Sequence, residues 1–220
     1  MTTSPLILDL FAGPGGWSEG LSALGLRDVG IEIDGAVCAT RAAAGHSTIR
    51  ADVAAYPTAQ LGGKVTGLIG SPPCQTFSAA GLRAGNTDLP LCHQALDDLA
   101  RGHDTRATLR TGCADSRSLL VVEPLRYALD LRPEWIALEE VPAVLPLFEH
   151  TARLLAAAGY STWAGVLNAA DFGLPQTRRR AFLLASRTHP AVPPQPTHAD
   201  GGTHADLFGD SLPPWRTMGD

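Results

Sequence analysis

The opening of the chain restricts its fold more than any other stretch. A short apolar run, Leu6-Ile7-Leu8-Asp9-Leu10-Phe11, stops at Ala12-Gly13-Pro14-Gly15-Gly16, and a helical pattern follows through Leu21 and Leu24 to about Gly25. A strand that breaks into glycines and resumes as a helix is the nucleotide-binding corner of a parallel sheet. Glycine tolerates positive φ and lets a ligand lie against bare backbone. The helix behind the loop aims its free N–H groups at that ligand.

The alternation then continues. Residues 28–34 predict a second strand and 35–44 an Ala-rich helix; 48–53 predict a third strand and 65–69 a fourth, which runs into Ser71-Pro72-Pro73-Cys74. Later, 119–131 read as a helix, 135–139 as a strand, 147–158 as a helix, 162–167 as a strand, 171–175 as a loop and 180–186 as a last strand. Strands alternating with helices predict an α/β fold, a mostly parallel sheet with helices on both faces. The pattern loosens over 84–118, where a mobile insert with one short helix near 91–100 is expected. After Thr188 the chain is rich in Pro, Gly and His, which predicts an extended, weakly ordered tail over 188–220.

Composition narrows the function. The net charge is −5, so any attraction to a nucleic acid must be local, and Arg178-Arg179-Arg180 is the candidate patch. Cys38, Cys74, Cys92 and Cys113 follow no disulfide spacing. The N-terminus lacks a secretory pattern and no apolar run is long enough for a membrane. The expectation is a cytoplasmic protein. Cys92, His93, His103 and Cys113 match no familiar zinc spacing, so no metal is expected.

Three features carry chemistry. Glu32 and Asp52 are expected at the ends of successive strands beside the glycine loop, placed to accept ribose hydroxyls and an adenine amine. No second phosphate-binding loop and no P-loop sequence occurs, which favours an adenosyl ligand without phosphates. Cys74 follows two prolines at the end of a strand, on a stiff loop facing the ligand crevice, a setting suited to a thiolate nucleophile.

Asp9 to Gly16, Pro73-Cys74-Gln75, Glu139-Glu140-Val141 and Gln176-Thr177-Arg178-Arg179-Arg180 stand in an order and spacing that resemble the DNA cytosine-5 methyltransferases. The resemblance covers residues 6–187, taken as the catalytic domain. It implies a Rossmann-like, class I S-adenosylmethionine-dependent fold. The implied reaction transfers methyl to carbon 5 of cytosine in double-stranded DNA, leaving S-adenosylhomocysteine, through a covalent Cys74–C6 intermediate on a flipped-out base.

The resemblance also assigns roles. Cys74, Glu139, Arg178 and Arg180 fall on catalytic positions, with Glu139 acting at N3 of the base. Phe11, Ala12, Gly13, Gly15, Gly16, Glu32, Ile33, Asp52, Val53 and Pro73 fall on the cofactor side. Gln75, Ser78 and Gln176 would anchor the loops. Two departures stand out. Glu140 replaces the usual Asn of Glu-Asn-Val. The residues from Pro213 onward resemble the start of a target-recognition region, which would then come from a further segment or a separate chain. A tRNA cytosine-5 methyltransferase and a non-catalytic cofactor-binding subunit remain as competing readings.

Overall fold

The computed structural model describes residues 6–73, 75–77, 84–202 and 211–219. Seven strands form one sheet: β1 (Leu6–Leu10), β2 (Asp28–Glu32), β3 (Ser47–Arg50), β4 (Val65–Gly70), β5 (Trp135–Glu140), β6 (Ser161–Asn168) and β7 (Arg179–Ser186). Their order is β3-β2-β1-β4-β5-β7-β6. The first five pair in parallel, and β7 joins antiparallel to both β5 and β6. The order reverses between β1 and β4. In open α/β sheets such a switch point leaves a crevice at the carboxyl ends of the strands.

Alternate residues of each strand serve opposite faces. Leu8 and Leu10 of β1 and Leu68 of β4 enter the main core. They pack there with α3 (Ala84–Ala100), α5 (Glu123–Leu131) and α6 (Leu145–Ala157), through Leu96, Tyr127, Phe148 and Leu155. Ile7 and Ile69, one residue out of phase, meet Leu21 of α1 (Gly16–Ala23) on the other face. That second face also receives α2 (Gly35–Ala43), whose Arg41 lies against Gly30 of β2. The expected helices on both faces are present.

Strand ends differ from the sequence expectation where side chains intervene. β2 stops at Glu32, because Glu32 Oε1 accepts the Asp34 N–H at 2.8 Å and Asp34 in turn caps α2. β3 stops at Arg50, and Asp52 lies in the next turn, its Oδ1 accepting the Ala54 N–H at 2.9 Å. Asp52 therefore does not end a strand as expected.

The stretch 84–118 holds more regular structure than the one short helix expected. α3 runs for 17 residues and is followed by α4 (Arg106–Arg110) and a 3-10 segment, Ser116–Val122. Leu89, Cys92, Leu96 and Leu99 recur at helical spacing, and Cys92, Ala95 and Leu96 are fully buried in the main core. The described tail is extended but fastened: Thr197 and His198 donate backbone N–H to the Asp171 carbonyl, and Trp215 Nε1 donates to Asp171 Oδ1 at 3.0 Å. Among the described residues no helix is long and apolar enough to cross a membrane.

The second face is thinly covered beyond α1. Trp135 and Ala137 of β5, Phe182 and Leu184 of β7, and Trp163 and Leu167 of β6 share it and stay partly exposed.

Candidate active site

Two cavities open at the carboxyl ends of the central strands. The first, of about 380 Å³, is lined by Phe11, Glu32, Ile33, Asp52, Val53, Pro73 and Gln75 together with Ser71, Arg110, Ser116, Arg117 and Leu120. Phe11 adopts φ 58° at the tip of β1, which swings its ring out of the strand line into this cavity. Glu32 fastens the loop: its Oε2 accepts the Gly13 N–H at 3.0 Å while Oε1 holds Asp34. Each carboxylate oxygen keeps a free lone pair for a hydroxyl. Apolar Phe11, Ile31, Ile33 and Val53 flank the two carboxylates of Glu32 and Asp52. Two acceptor carboxylates among apolar walls fit the hydroxyls, amine and ring of an adenosyl group.

The glycine loop is held from below. Ala12 is buried, and its carbonyl accepts from Arg41 Nη1 at 3.1 Å. Arg41 also binds Asp28 Oδ2 through Nη2 at 3.1 Å and Thr48 Oγ1 through Nε at 2.8 Å. Asp9 Oδ2 lies 3.8 Å from the same guanidinium, too far for a hydrogen bond. Burial, then the Asp28 charge, raises the Asp9 carboxyl well above its ordinary range, against the pull of Arg41. Gly15 caps α1 with φ 113°, and a Cβ there would lie 2.7 Å from the His46 ring. Gly16 then begins the helix.

The outer wall comes from Arg110, Ser116 and Arg117 of the stretch 84–118 and from Leu120, with α5 behind it. Val53 carbonyl accepts from Arg126 Nη2 at 2.7 Å and from the Tyr127 hydroxyl at 2.9 Å. Arg117, gripped by Asp115, donates from Nη1 to Gln75 Oε1 at 3.2 Å. This links the cavity wall to the residue after Cys74. Cys74 and Ser78 themselves lie outside the described residues.

The second cavity, of about 390 Å³, is lined by Glu139, Arg178 and Arg180 with Trp17, Leu167, Phe172, Phe182 and Pro194 among its apolar walls. Arg180 Nε lies 3.0 Å from Glu139 Oε1, and Arg178 Nη2 lies 3.4 Å from the same atom. Cross-strand pairing explains the cluster. Glu139 sits opposite Phe182 in the β5–β7 ladder, and Arg180 is the next β7 residue on the same face. Trp17 Nε1 donates to Ser71 Oγ at 3.0 Å, joining a wall of one cavity to a wall of the other. Gln176 lines neither cavity; its backbone carbonyl accepts the Arg178 N–H at 2.9 Å in the turn before β7.

Sequence reasoning missed Trp17, Arg41, Ser71, Arg110, Ser116 and Arg117. The Asp115-Ser116-Arg117 spacing, in which a carboxylate can bind the guanidinium two residues on, was the one available signal.

The chain matches the family model described as C-5 cytosine-specific DNA methylase over residues 6–89 and 105–205. It is 30% identical to the Type II methyltransferase M.AquIA of Picosynechococcus sp. over 97% of this chain and 86% of that protein. Against the Type II methyltransferase M1.HphI of Haemophilus parahaemolyticus the identity is 29%, over 92% of this chain and 51% of that one. The chain thus spans most of one curated relative and about half of the other. The solved structure of Schizosaccharomyces pombe Dnmt2 shares the fold, with a TM-score of 0.59 at 17% identity over 86% of this chain and 50% of that one.

Proposed function

We propose, from the premise that this chain belongs to the C-5 cytosine-specific DNA methylase family, that it transfers the methyl group of S-adenosylmethionine to carbon 5 of cytosine in DNA. The observation that carries this reading is the pair of adjoining cavities: one bears Glu32 and Asp52 among apolar walls, the other Glu139 under two arginines. Pro73 and Gln75, the sequence neighbours of Cys74, both line the first cavity.

In this reading Phe11, Ile33 and Val53 sandwich the adenine, Asp52 accepts its amine, Glu32 takes the ribose and Gly13, Gly15 and Gly16 leave room for the amino-acid part. S-adenosylmethionine supplies an electrophilic methyl group when bound. The chain's own residues prepare the nucleophile. Carbon 5 of cytosine is inert until the Cys74 thiolate adds to carbon 6 and pushes electron density toward N3 and carbon 5. Glu139 holds N3 through a proton, so that the density does not accumulate there as charge. Arg178 and Arg180 orient Glu139 and the base carbonyl. Both arginines engage Glu139 Oε1, and Oε2 is the oxygen that meets N3. After methylation a base removes the carbon 5 proton, and the thiolate leaves as the ring double bond re-forms. The base must be flipped out of the duplex to reach Glu139.

The partly exposed apolar sheet face beside the second cavity supports a further polypeptide segment there, on this protein or on a separate chain, carrying target recognition. The reaction belongs where bacterial or phage DNA lies, in the cytoplasm and on the nucleoid. Its biological role fits the modification half of a restriction–modification pair.

Covalent trapping tests the reading. With S-adenosylmethionine and duplex DNA containing 5-fluorocytosine, carbon 5 cannot lose its substituent, so elimination stalls. A denaturation-resistant protein–DNA adduct is expected for the wild type and none for Cys74→Ser. An adduct that persists in Cys74→Ser would remove Cys74 as nucleophile.

A further inference from the structure

The strand β5 ends in two consecutive carboxyl groups with opposite surroundings. Glu139 faces the second cavity and meets two guanidinium groups. Glu140 points the other way, beside fully buried Ala181 of β7, and is itself only 2% exposed. Glu140 Oε2 accepts the Val141 N–H, and Oε1 has no hydrogen-bond partner among the described residues. No cation among the described residues lies within ion-pair distance of it; Arg180 reaches it only through space and already serves Glu139. A full negative charge, shared by two oxygens and offered a single neutral donor, is unstable in such a place.

Building on the methyltransferase reading, we infer that Glu140 is a positioning residue that works as an uncharged acid, bracing the β5 exit turn so that Glu139 presents its carboxyl to the base. The neutral acid keeps the Val141 bond that closes β5 into the 3-10 turn Pro142–Val144. Its ionisation places a second negative charge next to Glu139 and competes for Arg180. Burial first, then the Glu139 charge, pushes the Glu140 carboxyl up to about 8; the Val141 N–H and Arg180 pull the other way. Glu139 and Arg180 are the charged groups that act on it.

The sign follows by linkage. Between about 4.5 and about 8 the unfolded chain ionises Glu140 and the folded protein does not, so this group costs stability increasingly as pH rises. Above about 8 the cost is constant. Glu140→Gln keeps shape, acceptor and donor but cannot ionise. Its melting temperature relative to wild type should therefore climb across that window and then level. Wild-type kcat, divided by that of Glu140→Gln at the same pH, should fall about tenfold per pH unit above the Glu140 transition, while both share one KM for S-adenosylmethionine. Glu140→Asn serves as a second neutral variant if the Gln form does not fold.

A melting difference that does not vary with pH overturns the inference, whether or not methylation is observed. A pH-dependent melting difference with parallel kcat profiles overturns the positioning role. If neither protein methylates DNA at any pH, the methyltransferase reading has failed, and the melting series still decides the protonation of Glu140.

Discussion

Arg41 shows how much of the glycine loop hangs on one buried side chain. It is 0% exposed, bonds the Ala12 carbonyl, Asp28 and Thr48, and lies beside Asp9. Taking out one member of a buried charged cluster leaves the others without compensation, at about 3–5 kcal/mol. Arg41→Leu is expected to lose stability on that scale in urea unfolding. It should also weaken S-adenosylmethionine binding, because the Ala12 carbonyl loses its anchor. An unchanged unfolding midpoint would show that Asp9 and Asp28 do not need the guanidinium. The loop glycines were legible in the sequence, since they precede the helix directly. Arg41 was not: it follows them by more than twenty residues and looks like any solvated arginine on a short helix.

At the scale of elements, α3 is the largest departure from expectation. The short helix expected near 91–100 begins already at Ala84, and His93, Gln94, Asp97 and Asp98 are among its polar residues. Gln94 is exposed; His93 Nδ1 meets His150 Nδ1 of α6 at 2.8 Å, His150 Nε2 meets Asp97 Oδ1 at 2.9 Å, and Asp98 accepts from Arg101 and Thr105. The inner side is apolar, with Leu96 only 1% exposed. Leu96→Ala should therefore cost about 2–5 kcal/mol, the range for a leucine deleted from a packed core. Differential scanning calorimetry checks this. A melting temperature within a degree of wild type would mean that α3 contributes little to the folded core. The family model passes over residues 90–104, so most of this helix lies outside the pattern that the rest of the chain follows.

For the whole molecule, the asymmetry of the sheet is the dominant fact. One face carries α3, α5 and α6 over a large core; on the other, the apolar cluster among the described residues buries Ile7, Leu21 and Ile69, with Trp17, Trp135 and Ala137 partly covered. Apolar area left in water is a free-energy reserve of about 25 cal/mol per Å² for whatever covers it. The isolated chain should bind a hydrophobic dye such as anilinonaphthalene sulfonate. The double replacement Phe182→Ser, Leu184→Ser should reduce that signal severalfold while keeping far-UV circular dichroism. Equal dye binding by both proteins would place the exposed apolar surface elsewhere.

The sequence by itself determined the α/β alternation and the glycine loop, and it singled out Glu32 and Asp52, which both line the first cavity. These signals are local: period, turn chemistry and spacing act over a few residues. Only the tertiary structure decided which groups meet. Antiparallel insertion of β7 between β5 and β6 brings Arg178 and Arg180 to Glu139 across about forty residues of chain. The same pairing sends Glu140 into the core and Glu139 into the cavity. A one-residue alternation visible in the sequence gives no sign of which side is wet, because that depends on the helices that cover each face.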